Sequence, residues 1–233
     1  MSANDLVSVV LPVYGQAGFI AAVVEEYGAA LENLRRPYEL LLVVNGRPVD
    51  DSLEVCRGLE RSQASVRTLA TERGGWGWAV RQGLAAARGG LLCYTNSART
   101  TAEDLVLHLM CAVAFPGRVI KANRKIRDNA FRRLGSLAYN IQCRALFDLP
   151  WWDINGTPKV FPRSFGPLVA LSRDDDLIDL EFSIVCRREH YPMLEIPAFS
   201  TRRHGGASTT GVASAVRLYA GAFRMRREIG RPR

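Results

Sequence analysis

Ten residues, Gly75-Trp76-Gly77-Trp78-Ala79-Val80-Arg81-Gln82-Gly83-Leu84, combine glycines, which let a ligand approach the backbone, with the opening of a helical pattern. Free N–H groups and a positive dipole end at such an opening suit an anion as large as a diphosphate. The pattern is not the dinucleotide fingerprint: Gly75-x-Gly77 lacks a third glycine three residues on, and it follows a third strand rather than a first. About ten residues further, the polar break Thr95-Asn96-Ser97-Ala98 carries only neutral oxygens, which hold hard dications poorly compared with carboxylates. Asn45 closes the apolar run Leu42-Val43-Val44; its amide both donates and accepts, so it could pair with a uracil, guanine or cytosine edge without selecting among them. Tyr14, at the end of another apolar run, could stack on a base or lie as a lid over the core, and its own chemistry leaves both open. Asp153, Asp179 and Glu181 are among the carboxylates that could take a proton from a hydroxyl. For the last two the alternative is an ion pair with Arg187 or Arg188. Asp50 and Asp51 read as helix N-caps, His108 as structural, and His204, between arginines and glycines, as a phosphate contact.

The 233 residues are 48% apolar, enough for one sizeable core, and carry a net charge of +8. That excess attracts anions: nucleic acid, anionic lipid or phosphorylated substrates. The basic residues gather in the second half, at 124–127, 132–133, 187–188, 202–204 and along 217–233. Few aromatics are interleaved with them, which sets nucleic acid aside. No apolar run approaches the roughly 18 to 20 residues of a membrane span, and residues 1–6 lack a signal pattern, so a cytoplasmic protein is expected. The five cysteines are widely spaced and odd in number, as expected of reduced packing residues.

Strands are predicted over 6–13, 39–45, 66–70 and 91–95, alternating with helices over 18–33, 51–61 and 76–87. Apolar runs without period-two alternation between such helices indicate parallel strands covered on both faces. Ligands then sit beyond the carboxyl ends of the strands, so loops opening at Tyr14, Asn45, Thr71 and Asn96 should share one rim. Further on come helices over 101–114, 129–146 and 177–188, strands over 119–122, 159–161 and 193–196, and a basic amphipathic helix over 212–229. That last helix places Val212, Val216, Tyr219, Ala220 and Phe223 on one face, to dock on the core or to meet a membrane surface or subunit.

Taken in order, these segments resemble the family-two inverting glycosyltransferases of the A-type fold, in particular dolichol-phosphate mannosyltransferase-like enzymes. The likeness rests on Val7 to Tyr14, on Leu42-Val43-Val44-Asn45-Gly46-Arg47 where the family has Val-Val-Asp-Asp-Gly-Ser, and on Arg73 to Leu84 against Asn-x-Gly-Lys-Gly-x-Ala-x-x-x-Gly. It continues through Arg132, Arg133, Ser136 and Asn140, then Asp153 with Lys159 and Phe161, and ends on Asp179-Leu180-Glu181, Glu195-Ile196-Pro197, Arg202 and Ser208. Asn96, Ser97 and Ala98 stand where the family carries its metal-binding Asp-x-Asp.

The resemblance implies an α/β single-domain nucleotide-diphospho-sugar transferase fold, Rossmann-like, with a mostly parallel central sheet flanked by helices. Residues 1–211 would form the domain, about 1–100 its nucleotide-binding half and 101–211 its acceptor half, with 212–233 a basic helix and tail. The implied activity is sugar transfer with inversion from a UDP- or GDP-type nucleotide sugar to an anionic acceptor, first a polyprenyl phosphate or other phosphorylated lipid at the inner membrane face. Alternatives are a soluble hydroxyl acceptor, or a scaffold that binds nucleotide sugars without chemistry. The donor would meet Pro12, Val13, Tyr14, Asn45, Gly46, Gly75, Gly77, Arg81 and Asn96; the phosphates and acceptor would meet Lys121, Arg124, Lys159, Arg202 and Arg203. Asp153, Asp179 and Glu181 are the implied catalytic acids. Asn96 is a weak ligand for Mg2+ or Mn2+, and a metal-free site, with basic side chains steadying the diphosphate, is the preferred expectation.

Overall fold

The computed structural model describes residues 5–125, 130–199, 205 and 212–229, with the side chains of 130–132 and 212–215 outside the description. The elements are β1 (Val7–Val13), α1 (Ile20–Glu32), β2 (Tyr38–Asn45), α2 (Ser52–Ser62), β3 (Val66–Thr71), α3 (Trp76–Ala86), β4 (Leu91–Tyr94) and α4 (Ala102–Ala114), followed by β5 (Val119–Arg124), α5 (Ala130–Phe147), β6 (Lys159–Pro162), α6 (Gly166–Val169), α7 (Ile178–Arg188), β7 (Met193–Ala198) and α8 (Val212–Ile229). The short α6, opened by Gly166-Pro167, is the one helix the sequence pattern does not announce.

Seven strands form one sheet in the order β3-β2-β1-β4-β6-β5-β7. β1 is buried along its whole length, as its run, apolar except for the hydrogen-bonded Ser8, requires of a strand covered on both faces. β6 runs antiparallel between β4 and β5, whereas the other pairings are parallel. On one face α1 presents Ile20, Val23, Val24, Tyr27 and Leu31, a 3.6-residue stripe, and packs with α4 over Val9, Leu11 and Cys93. The opposite face is covered by α3, α6 and α7 over Val10, Tyr94 and Phe161. At Gly83 an added Cβ would collide with Val10 Cγ1, so only a hydrogen there lets α3 settle onto β1.

A third cluster joins Tyr139 and Cys143 of α5, Leu180 of α7, and Ala222 and Met225 of α8. This corrects the expected docking face of the last helix. Its buried stripe runs through Ala222 and Met225 with Tyr219 packed beside them, whereas Val216 and Phe223, placed by spacing on the face of Tyr219 expected to meet either the core or another surface, are exposed. Both stripes fit a helical period, and only the position of α5 and α7 selects between them. The five cysteines are unpaired; burial pushes the Cys56 and Cys143 thiols up to about 12, as for packing residues. No helix among the described residues is long and apolar enough to cross a membrane.

Candidate active site

The carboxyl ends of β1, β2, β3 and β4 meet at one rim, held by bonds between their loops. Gly46 N–H donates to Thr71 O at 2.9 Å. Ser97 Oγ donates to Gln16 Oε1 at 2.7 Å, linking the β4 and β1 loops. Asp50 accepts from Ala17 N and Ser52 N, tying the β1 loop to the start of α2, and these bonds hold its carboxyl below the usual range against the opposing effect of desolvation. The capping bond expected of Asp50 or Asp51 is thus made by Asp50, while Asp51 makes none.

Tyr14 stands on this rim with 47% of its surface exposed. Its ring lies over Gly46, whose φ of +85° and position, where a Cβ would be 3.3 Å from that ring and 3.4 Å from the Gly74 Cα, both demand glycine. Pro12 and Val13 are buried in β1 beneath it. The Asn45 amide is turned inward: Nδ2 donates to Val13 O at 3.0 Å and Oδ1 accepts from Gly75 N at 3.1 Å. Its side chain therefore fastens β1, β2 and the start of α3 together, and does not present the open amide edge expected for reading a base.

The glycines at the start of α3 serve a partner that the sequence does not reveal. A Cβ on Gly75 would lie 2.5 Å from Asp174 O, and one on Gly77 would lie 2.5 Å from both Arg173 O and Asp175 O. The close approach is made by residues 173–175 of the chain itself, and Trp78 N–H donates to Asp174 O at 2.9 Å. Arg81 and Arg73 both bind the Asp174 carboxylate, and their guanidiniums lie 5.7 and 4.5 Å from the Trp78 ring centre, within cation–π range.

Beyond β4, Asn96 Oδ1 accepts the Ala98 N–H at 3.0 Å, and its backbone carbonyl accepts from Arg99 and Thr100. The break closes as a turn on its own side chain. These neutral, already bonded groups do not fit a hard dication, and among the described residues no cluster of three His, Cys, Asp or Glu is placed to hold one.

Deeper in the sheet, Tyr94, Lys159, Lys121 and Glu195 lie directly opposite one another on β4, β6, β5 and β7. Both lysines are fully buried. Lys159 Nζ binds Asp179 Oδ1, and the same carboxylate accepts from Tyr94 Oη at 2.9 Å and Trp76 Nε1 at 3.1 Å. Burial pulls the Lys159 ammonium down to about 8, although Asp179 opposes the shift. Lys121 Nζ donates to Glu195 Oε1 at 2.8 Å and to Asp153 O at 3.1 Å. Neither lysine faces the open phosphate site expected of it; each neutralises a carboxylate inside the molecule.

The three candidate catalytic acids are likewise engaged. Asp153, itself buried, receives Arg124 through the backbone N–H at 2.9 Å, Nε at 2.7 Å and Nη2 at 2.8 Å. Burial lowers the Arg124 pKa and Asp153 more than restores it. The next residue is pinned by Asn140 Oδ1, which accepts Ile154 N–H at 2.7 Å. Glu181 accepts Ser172 N at 2.9 Å and Arg173 N at 2.8 Å. Arg187 instead pairs with Asp148 and Arg188 with Glu189, so the expected partners of Asp179 and Glu181 are elsewhere. Arg202, Arg203, His204 and Ser208 lie outside the described residues. Sequence reasoning passed over Arg73, Trp76, Trp78, Tyr94 and Asp174. Two tryptophans between glycines were the available signal for part of this group; nothing local marks Asp174.

Compared with known proteins, the chain matches Glycosyl transferase family 2 over residues 8–148. No curated protein matches it in sequence. Among solved structures it resembles glucosyl-3-phosphoglycerate synthase from Mycobacterium tuberculosis, in a complex with Mn2+, UDP and phosphoglyceric acid, with 18% identity and a TM-score of 0.74 over 99% of this chain and 81% of that one. The same synthase with Mn2+, UDP-glucose and phosphoglyceric acid gives 16% identity and 0.72, over 99% and 82%. A further mycobacterial protein gives 14% and 0.72, over 96% and 75%. At these identities the likeness is one of fold.

Proposed function

This chain belongs to glycosyl transferase family 2 and is a nucleotide-sugar glycosyltransferase, and from that premise we propose that it transfers a sugar with inversion to an acceptor that is already anionic, without needing a divalent cation. The observation that carries this reading is the engagement of Asp153, Asp179 and Glu181 with neighbouring groups. A hydroxyl acceptor needs a base within hydrogen-bond reach; a phosphate oxygen does not. In the proposed step the acceptor oxygen attacks the anomeric carbon opposite the leaving group. The carbon–oxygen bond to the diphosphate breaks, the electron pair leaves with the nucleoside diphosphate, and no proton is transferred.

Tyr14 would stack the base, and Arg81 would meet the diphosphate charge. Arg202 and Arg203 retain their proposed role toward the acceptor. UDP and GDP donors both remain compatible with Asn45, whose amide supports the rim from behind. The donor set beyond β4 supports the metal-free reading, since its neutral oxygens serve their own turn.

A phosphorylated lipid is the first acceptor proposed. Leu134, Leu137 and Ile141 on α5 and Val216 and Phe223 on α8 are exposed, and Arg217, Arg224, Arg226 and Arg227 on α8 would attract an anionic bilayer at the inner membrane face. A small phosphorylated acid is the second, favoured by the phosphoglyceric acid in the structural neighbour; attack through its hydroxyl would release a proton to a base and so would replace the proton-free step. The test is transfer of radiolabelled sugar from UDP- and GDP-sugars to polyprenyl phosphate and to small phosphorylated acids, with and without EDTA. We expect transfer that survives the chelator. Loss of all product in EDTA would overturn the metal-free step, and nucleotide binding without turnover on any acceptor would leave the non-catalytic scaffold as the answer.

A further inference from the structure

We propose that residues 172–175 form a strap whose Asp174 carboxylate competes with the donor diphosphate for Arg73 and Arg81, so that nucleotide binding requires the strap to let go. The inference rests on the donor reading above and adds a regulatory contact to that site.

Three observations carry it. The strap lies against the start of α3, where Gly75 and Gly77 leave no Cβ to keep its carbonyls away, and Asp174 O takes the Trp78 N–H at 2.9 Å. Beside it, two guanidiniums share the single Asp174 carboxylate. One negative charge against two positive ones leaves the pair undersatisfied, and a diphosphate offers more charge and more acceptor oxygens to planar guanidiniums. Finally, the arginine contacts are accessible: the Arg73 side chain is 58% exposed and that of Arg81 30%.

The strap is fastened independently at its other side. Glu181 accepts the N–H groups of Ser172 and Arg173, Asp175 Oδ1 accepts Leu177 N at 3.1 Å, and Arg173 binds Glu228 near the end of α8. Release of Asp174 from the arginines therefore leaves the segment anchored on α7 and α8, so it can reclose when the ligand leaves.

When the competent state is only a fraction of the population, apparent affinity falls by that fraction. Calorimetric titration of the whole chain with UDP and with inorganic pyrophosphate tests this. Asp174→Ala should bind both about tenfold more tightly, with Asp174→Asn intermediate and available should the alanine variant fail to fold. Adding Arg73→Ala and Arg81→Ala should weaken binding and erase the difference that Asp174→Ala makes relative to the parent. Unchanged or weaker binding of UDP in both Asp174 variants, with UDP binding the parent, overturns the strap and spares the donor reading. Pyrophosphate that responds to Asp174 while UDP binds no variant overturns the nucleotide assignment and spares the strap. Absence of binding by either probe in every variant overturns both.

Discussion

Lys159 and Lys121 sit one strand apart, both fully buried, and each is tolerable only because a carboxylate lies within hydrogen-bond reach. Removing one member of such a pair leaves a charge uncompensated, at a cost of about 3–5 kcal/mol, whereas replacing both members costs much less. Lys159→Met should accordingly be strongly destabilised in urea, and Lys159→Met with Asp179→Asn should regain part of the loss, since the single amide oxygen still accepts from one of Tyr94 and Trp76, which meet different carboxylate oxygens in the parent. A single variant as stable as the parent, or a double variant no better than the single, would contradict this account. The residues of this site were legible as chemical types, but their partners were not. Asp179 meets Trp76 from 103 residues away, and Asp174 meets Arg81 from 93 away; no local pattern encodes such separations. Asn45 shows the same limit from the other side, because an amide able to read a base is equally able to join two strand ends, and burial decides which.

At the scale of elements, α3 turns on glycines whose reasons differ. Gly83→Ala would gain about 1 kcal/mol in helix propensity. It would also place a methyl group against Val10 at the tightest contact between α3 and β1, and overpacking typically costs about 1–3 kcal/mol. We expect a lower melting temperature for Gly83→Ala, with partial recovery on adding Val10→Ala; a higher melting temperature would show that the helix can shift without cost. Strand and helix positions were readable because predominantly apolar runs such as Val7–Val13 and the 3.6-residue spacing of α1 are set by burial. The docking face of α8 was not, since its sequence offers two apolar stripes and the choice belongs to α5 and α7. Gly75 and Gly77 announced a close approach, but not that the approaching backbone was the chain's own.

For the molecule as a whole, acid stability depends on His108, which is fully buried in α4. Burial lowers its pKa below the ordinary 6.5, outweighing its bond of 2.6 Å to the Asp104 carbonyl, and Nε2 has no partner. The folded state therefore binds this proton more weakly than the unfolded chain does. The contribution of this group is unchanging above its ordinary titration range near pH 6.5 and turns destabilising as pH drops from there through the folded value. His108→Gln, which has no proton to gain, should lessen the slope of unfolding free energy against pH below about 6.5; an unchanged slope would assign acid sensitivity to other groups.

β6 has a consequence for where this molecule can be divided. The family match ends at residue 148, yet β4 and β5 are separated by β6, which begins at Lys159. A polypeptide terminated at the match boundary would have a gap in the middle of its sheet, an ammonium at Lys121 deprived of Glu195, and two strand edges exposed to aggregation. The segments on either side of residue 148 are thus interlocked in one sheet, and a fragment ending there should not fold as an autonomous unit.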